Sequence, residues 1–444
     1  MDLDSRGLIL KISKTYKVSH FLFSLKLYSA LSTRHKMKTN WIQKTHRTTQ
    51  KSLVALCVLV ALALSACGGS GNSSADSNAA VVDPYPGVKA YTSLDLNAPL
   101  NYTSPTLLAH YDADLLATRN STPANSTTDK GATLGRVLFN DTRLSFNNTK
   151  SCASCHVQAN GFVDRAQFST GFTGGQTTAH AMRLGNVAFY QGNRMFWDKR
   201  AASLEVQATD PIQNAIEMGF DATHGGFSAL VSIMQTLPYY PELFKWVFGD
   251  EAISEVRVQN ALAQFQRSMI SANSKWDRAY AVVYANNGSV NSPQNFGRSL
   301  AGNNIPEADR FTASEDRGRA LFIQGPNNGG KGCAGCHQPP TFSLDPNSRS
   351  NGLDLNETVI FKSPSLKNVA LDGRFMHDGR FSTLEEVLTH YATGIQAGPA
   401  RDNRLPAGGI PMTAQDQADI VAFLKTLTDS TLNTDTRFAS PFIK

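Results

Sequence analysis

Two short runs of this chain carry its most specific chemistry: Cys152-Ala-Ser-Cys155-His156 and Cys333-Ala-Gly-Cys336-His337. Each reads C-x-x-C-H, the attachment signature of c-type haem. Two thiols at that spacing add across the two vinyl groups of one porphyrin. The adjacent histidine is then carried under the iron as its proximal ligand. The two pairs lie 181 residues apart and would also make a Cys₄ zinc ribbon, but that leaves both histidines unused. Two covalent haems account for all six residues. Of the other two cysteines, Cys57 lies inside an apolar leader and Cys67 follows it, so none remains for a structural disulfide.

Two further side chains could serve such irons. Tyr391, in the helix-like stretch TLEEVLTHYATG, is a suitable sixth ligand for a ferric haem, with Met412 and Met376 as the next candidates. Glu217, in Pro211-Ile-Gln-Asn214-Ala-Ile-Glu217, is a carboxylate that could move a proton between the two oxygens of a peroxide. From its own residues Glu217 reads better as a solvated or helix-capping acid.

The elements that must hold these groups repeat. Gly135-Arg136-Val-Leu138-Phe139 precedes the first haem motif and Gly318-Arg319-Ala-Leu321-Phe322 the second, at an offset of 183. Asp198, Arg200, Leu204 and Glu205 return as Asp378, Arg380, Leu384 and Glu385 at an offset of 180. An apolar-periodic stretch closes each half, at 256–270 and 415–427, and predicts a helix there. Helix, haem loop, long connection and closing helix is the layout of a small cytochrome c domain. The fold class expected is therefore mainly α, with two tandem cytochrome c-like haem domains and long loops. The boundaries read as a leader at 1–66, a flexible tether at 67–100, an N-terminal haem domain at 101–275 and a C-terminal haem domain at 276–444. At the 180 offset the counterpart of Tyr391 is Pro211, which cannot ligate iron. The first haem would then keep an open face with Glu217 nearby.

Composition excludes other classes. The 444 residues are 41% apolar and 18% charged, too apolar for a disordered chain. Net charge is +6, but residues 1–66 hold eleven basic residues against two acids, so the rest carries about −3. Nucleic acid is not an expected partner. Residues 53–64 (LVALCVLVALAL) are too short to span a bilayer and suit a signal-peptide core. Leu64-Ser-Ala-Cys67 behind them reads as a lipoprotein cleavage site, with lipid on Cys67 and a Gly/Ser-rich tether at 68–80. Met37 offers an alternative start. The expected location is periplasm-facing, anchored by lipid to the inner or outer membrane of a bacterium.

At this point the chain resembles the bacterial dihaem cytochrome c peroxidases, and more closely their MauG-like branch. The resemblance covers about residues 130–430. It rests on Leu134-Gly-Arg-Val-Leu-Phe139, Asp141-Thr-Arg-Leu-Ser145, Gly161-Phe-Val-Asp164, Phe196-Trp-Asp-Lys-Arg200, Glu217-Met-Gly219, Pro364-Ser-Leu-Lys-Asn-Val369 and Met376-His-Asp-Gly379, besides the haem motifs. It implies that the N-terminal haem reacts with peroxide, assisted by Glu217, and that the C-terminal haem takes in or stores electrons. Trp197 would lie between the irons as a relay. A calcium ion would be held by the Asn186 side chain and the backbone carbonyls of Asp372 and Arg374. Tyr391 stands where the peroxidase branch has methionine, the MauG-like choice. Where that branch presents a histidine on a mobile loop this chain has Thr178; His180, two residues on, reads as a loop histidine or as a residue able to reach the iron.

The function expected is a dihaem peroxidase reducing hydrogen peroxide with electrons from a small cytochrome or cupredoxin, and a homodimer is common among the resembling enzymes. A MauG-like enzyme that uses peroxide-derived high-valent haems to oxidise a partner protein is the alternative. A non-enzymatic dihaem electron carrier is the third reading.

Overall fold

The computed structural model describes residues 83–192, 194–371 and 373–443. The leader, Cys67, the tether at 68–80 and Asp372 lie outside the described residues. Residues 83–443 fall within one compact, mainly helical unit built round two principal apolar cores.

Around the first core stand α1 (Pro86–Tyr91), α2 (Asp129–Asn140), α3 (Cys152–Cys155), α4 (Leu204–Thr209), α5 (Tyr239–Phe248) and α6 (Glu255–Arg267). Around the second stand α7 (Lys275–Asn286), α8 (Ala313–Ile323), α9 (Leu384–Thr389) and α10 (Ala414–Lys425). The helices that lead into the haem loops, and α10, start where a hydroxyl can satisfy an orphan N–H. Thr128 accepts from the Gly131 N–H, and Thr312 with Glu315 and Thr413 with Asp416 form capping boxes. The closing helices α6 and α10 fall where the apolar period places them, each ending two or three residues early.

The repeated glycine has a steric cause. Where α2 crosses α6, a Cβ on Gly135 would overlap the Ala261 carbonyl oxygen; where α8 crosses α10, one on Gly318 would overlap that of Asp419. The backbones touch, so only hydrogen fits. The repeated phenylalanine also has one place: Phe139 lies 6.4 Å from the His156 ring and Phe322 lies 6.4 Å from the His337 ring. Isolated bridges Met195–Ala201 and Phe375–Phe381 recur at the same 180 offset. Among the described residues the one sheet is the antiparallel pair β1 (His337–Gln338) and β2 (Ser343–Leu344), which sets His337 opposite Leu344.

Two stretches pack across the expected boundaries. Residues 83–100 are docked rather than free: the Gly87 and Val88 N–H groups donate to the Glu242 carboxylate at 2.9 and 2.8 Å, and Val88 is buried. That pairing satisfies helix-start donors with an anion, while Val88 and Leu96 join the first core. The end of the chain, assigned by sequence to the second half, packs on the first. Phe438 sits among Tyr102, Phe162 and Phe265, and the Ala439 carbonyl accepts from Arg136 Nε at 2.7 Å. Reciprocally, His110 reaches into the second half, its Nε2 3.2 Å from Asp277. There Lys367 Nζ pairs with Asp277 at 2.6 Å, with both side chains fully buried. Burial alone would raise the Asp277 carboxyl; Lys367 and His110 outweigh it and hold it at about 2.

Candidate active site

The first cysteine pair sits on the single turn of α3, which presents both thiols and then releases the chain at His156. Neither thiol is in a disulfide. Burial pushes the Cys152 thiol up to about 12, so these are apolar, non-acidic thiols rather than reactive thiolates. His156 Nδ1 lies 3.1 Å from the Phe162 carbonyl oxygen. A carbonyl can only accept, so the proton belongs on Nδ1 and the Nε2 lone pair stays free for a metal. Burial also lowers the His156 pKa, keeping the ring neutral.

Glu217 comes to this site from a turn far along the chain. Its backbone N–H donates to Asn214 Oδ1 at 3.1 Å, and its carbonyl accepts from the Phe172 N–H at 3.1 Å. The carboxylate is close enough to raise both the Cys152 and Cys155 thiols. Its own carboxyl is raised above the usual range by burial, with Arg200 opposing and Asp210 adding. It faces a polar pocket shared with Arg200, Asp210, Pro211, Gln213 and Asn214. Pro211, the positional counterpart of Tyr391, lines that pocket and offers no ligand.

The second set converges on a cavity of about 1750 Å³, its solvent mouth included. Cys333, Cys336, His337, Tyr391, Met376 and Met412 all line it. His337 Nδ1 has no partner among the described residues, and burial holds the ring at about 4, hence neutral. Tyr391 lies in a π turn (His390–Gly394) that follows α9. Burial pushes its phenol up to about 12; the Asn351 side chain opposes, and both cysteines add to the rise. All three ligand candidates thus share the cavity. Met376 Sδ accepts from Asn351 Nδ2 at 3.2 Å. Lys331, Arg349, Arg374 and Arg404 bring positive charge to the rim, as a porphyrin with two propionates requires. Free thiols and adjacent buried histidines at both sites, with a large basic-lined cavity at the second, fit covalent haem.

Trp197 lines the second cavity and donates from Nε1 to the His180 carbonyl at 2.7 Å. His180 is buried, lines the same cavity, and lies near enough to His156 to disfavour its charge. His180 thus adjoins both the second cavity and the first histidine, and Trp197 is bonded to its carbonyl. Of the expected calcium ligands, Asp372 lies outside the described residues. The Asn186 amide is engaged by Ser271, accepting from its N–H at 2.8 Å and donating to its carbonyl at 3.2 Å. Arg374 lines the second cavity, which Asn186 does not reach.

Sequence reasoning missed Asn351, Asn214 and Arg404. Arg404 ties Asp402, Asp345, Ser348 and the Gly335 carbonyl into one knot beside Cys336. Asn214 is a local turn residue three positions before Glu217 and could have been read from the sequence, whereas Asn351 and Arg404 act through loops joined in three dimensions.

The profile of the family described as di-haem cytochrome c peroxidase matches residues 129–283 and 314–405. The methylamine utilization protein MauG of Methylorubrum extorquens is 29% identical over 392 residues, covering 85% of this chain and 96% of the relative. The cytochrome c551 peroxidase of Nitrosomonas europaea is 29% identical, over 67% of this chain and 79% of its own. Among solved structures, a MauG-like protein associated with microbial copper homeostasis superposes with a TM-score of 0.56 at 26% identity, over 77% of this chain and 98% of that one.

Proposed function

The chain belongs to the di-haem cytochrome c peroxidase family, and on that premise we propose that it reduces hydrogen peroxide at the first haem site, with electrons delivered at the second by a small cytochrome or cupredoxin. The observation that carries the reading is the placing of Glu217 beside Cys152 and Cys155, with Pro211 where the other half has Tyr391. The bound haems supply iron that takes up peroxide and exchanges electrons. The protein supplies the proton chemistry and the geometry. His156 offers Nε2 from a ring locked by the Phe162 carbonyl. Glu217 takes a proton from the peroxide oxygen nearer the site and returns it to the departing one, and Asn214 fixes the turn that aims it. Two electrons and two protons then convert each peroxide to two waters. Trp197, on the His180 carbonyl, is the residue we assign to electron passage between the halves.

Electron paramagnetic resonance of the oxidised holoprotein should show one high-spin and one low-spin iron. Glu217→Gln should leave both signals in place and lower peroxide turnover with reduced cytochrome c by about 10²–10⁴-fold. A spectrum with no high-spin iron would leave the electron-carrier reading standing.

Tyr391 favours a second reading. A phenolate on the second haem makes it harder to reduce than methionine would. A pair so tuned stores oxidising equivalents and spends them on a partner protein. Negligible cytochrome oxidation, with mass spectrometry detecting an oxidised partner after peroxide, would select that reading.

The reading extends to a lipid anchor on Cys67 that holds the protein at a bacterial membrane facing the periplasm; loss of fatty-acid labelling in Cys67→Ala tests it. Among the described residues no helix is long and apolar enough to cross a membrane. It also keeps the calcium ion on Asn186 and the carbonyls of Asp372 and Arg374; Asn186 Oδ1 has two lone pairs, and the bond from the Ser271 N–H uses one. Metal analysis that finds no bound calcium, with activity unaffected by chelator, would remove it.

A further inference from the structure

The loop at 351–361 and the turn at 376–380 meet beside the second cavity and bring together three ligand-type side chains that the peroxide chemistry does not use. One carboxylate oxygen each of Asp354 and Glu357 and a ring nitrogen of His377 all lie within 4.8 Å of one another. Glu357 Oε2 is buried and has no hydrogen-bond partner among the described residues. An orphaned carboxylate oxygen beside a second carboxylate is costly unless a cation sits there. Burial, with Asp354 adding, pushes the Glu357 carboxyl up to about 7.

The arrangement is pre-built. The Glu357 carbonyl accepts from the Ala400 N–H at 2.9 Å, the Asn356 N–H donates to the Ala397 carbonyl at 2.8 Å, and the Gln396 N–H donates to the Gly352 carbonyl at 2.8 Å. The His377 ring is fixed by face-to-face stacking on Phe361, with centroids 3.8 Å apart. Arg380 at present grips Asp354, at 2.9 and 3.0 Å, but it also holds Asp378 at 2.6 Å. It can release one Asp354 oxygen without losing its anchor.

We propose that Asp354, Glu357 and His377 form a binding site for a first-row divalent cation, with Mn²⁺ and Zn²⁺ as the natural probes. The donor set is one imidazole and two carboxylates, which suits such ions better than calcium and its all-oxygen shell. The site does not depend on the family's calcium, which draws on Asn186. Because His377 and Phe361 line the second cavity, an ion here sits on the wall shared with the second cofactor.

The test uses the full holoprotein, stripped with a chelator and dialysed against Mn²⁺ or Zn²⁺. Elemental analysis should find one equivalent beyond the haem iron, and bound Mn²⁺ should lose its free six-line signal. Glu357→Gln and Asp354→Asn should each weaken binding by about 10- to 100-fold, with the haem absorbance spectrum unchanged. Glu385→Gln, an exposed acid on α9, and Asn186→Ala should both bind as the unaltered protein does. Absence of the extra equivalent, or equal affinity in Glu357→Gln, would overturn the site. So would binding that is lost in Asn186→Ala and kept in Glu357→Gln.

Discussion

A handful of side chains decide what this protein can do with two similar haem sites. At the first, Glu217 is a partly buried carboxyl with a raised pKa, so it keeps its proton further toward neutral pH than a solvated glutamate. A step that needs it as base should therefore gain rate as pH rises through a midpoint above the usual carboxylate value, and Glu217→Gln should flatten that limb of the profile. The stability term follows the same sign. The contribution of a raised carboxyl is complete below the unfolded pKa and is lost as pH rises through the folded one, so the stabilisation by Glu217→Gln should grow across that window and be full above it. At the second site, Tyr391 shares its cavity with Met376 and Met412. Tyr391→Phe should shift the low-spin resonance of that haem. An unchanged signal would pass the ligand role to one of the methionines.

At the scale of elements, each haem loop hangs from a helix pair whose backbones touch at a glycine. A methyl on Gly318 meets the Asp419 carbonyl, which belongs to helix backbone and cannot swing aside. Gly318→Ala should cost about 1–3 kcal/mol, seen as a lower thermal midpoint. The loss should be felt first at the second haem, because Phe322 on the same helix packs beside His337. The sequence marked this crossing, since the glycine recurs with its neighbours at a constant offset. It could not mark the π turn that swings Tyr391 inward, because that geometry comes from packing against Asn351 and the cavity wall.

Over the whole molecule the two halves exchange arms. Phe438 leaves the second half to complete the first core, and His110 joins a buried Lys367–Asp277 pair in the second. Phe438→Ala should cost about 3–5 kcal/mol, and the damage should fall on the first haem, 275 residues or more up the chain from the change. Separate expression of 101–275 would strip the same ring from its partners Tyr102, Phe162 and Phe265.

Covalent chemistry is local, and local chemistry is what a sequence records. The C-x-x-C-H runs, the repeated glycine and phenylalanine, the closing helices and the Pro211/Tyr391 asymmetry were all legible because each depends on residue type at short or constant spacing. Convergence is not local. The meeting of Glu217 with Cys152, the seating of Trp197 on His180, the docking of residues 83–100 and the gathering of Asp354, Glu357 and His377 each join segments whose separation in sequence carries no signal. Only burial of the two cores, which fixes where loops cross, brings those groups within reach of one another.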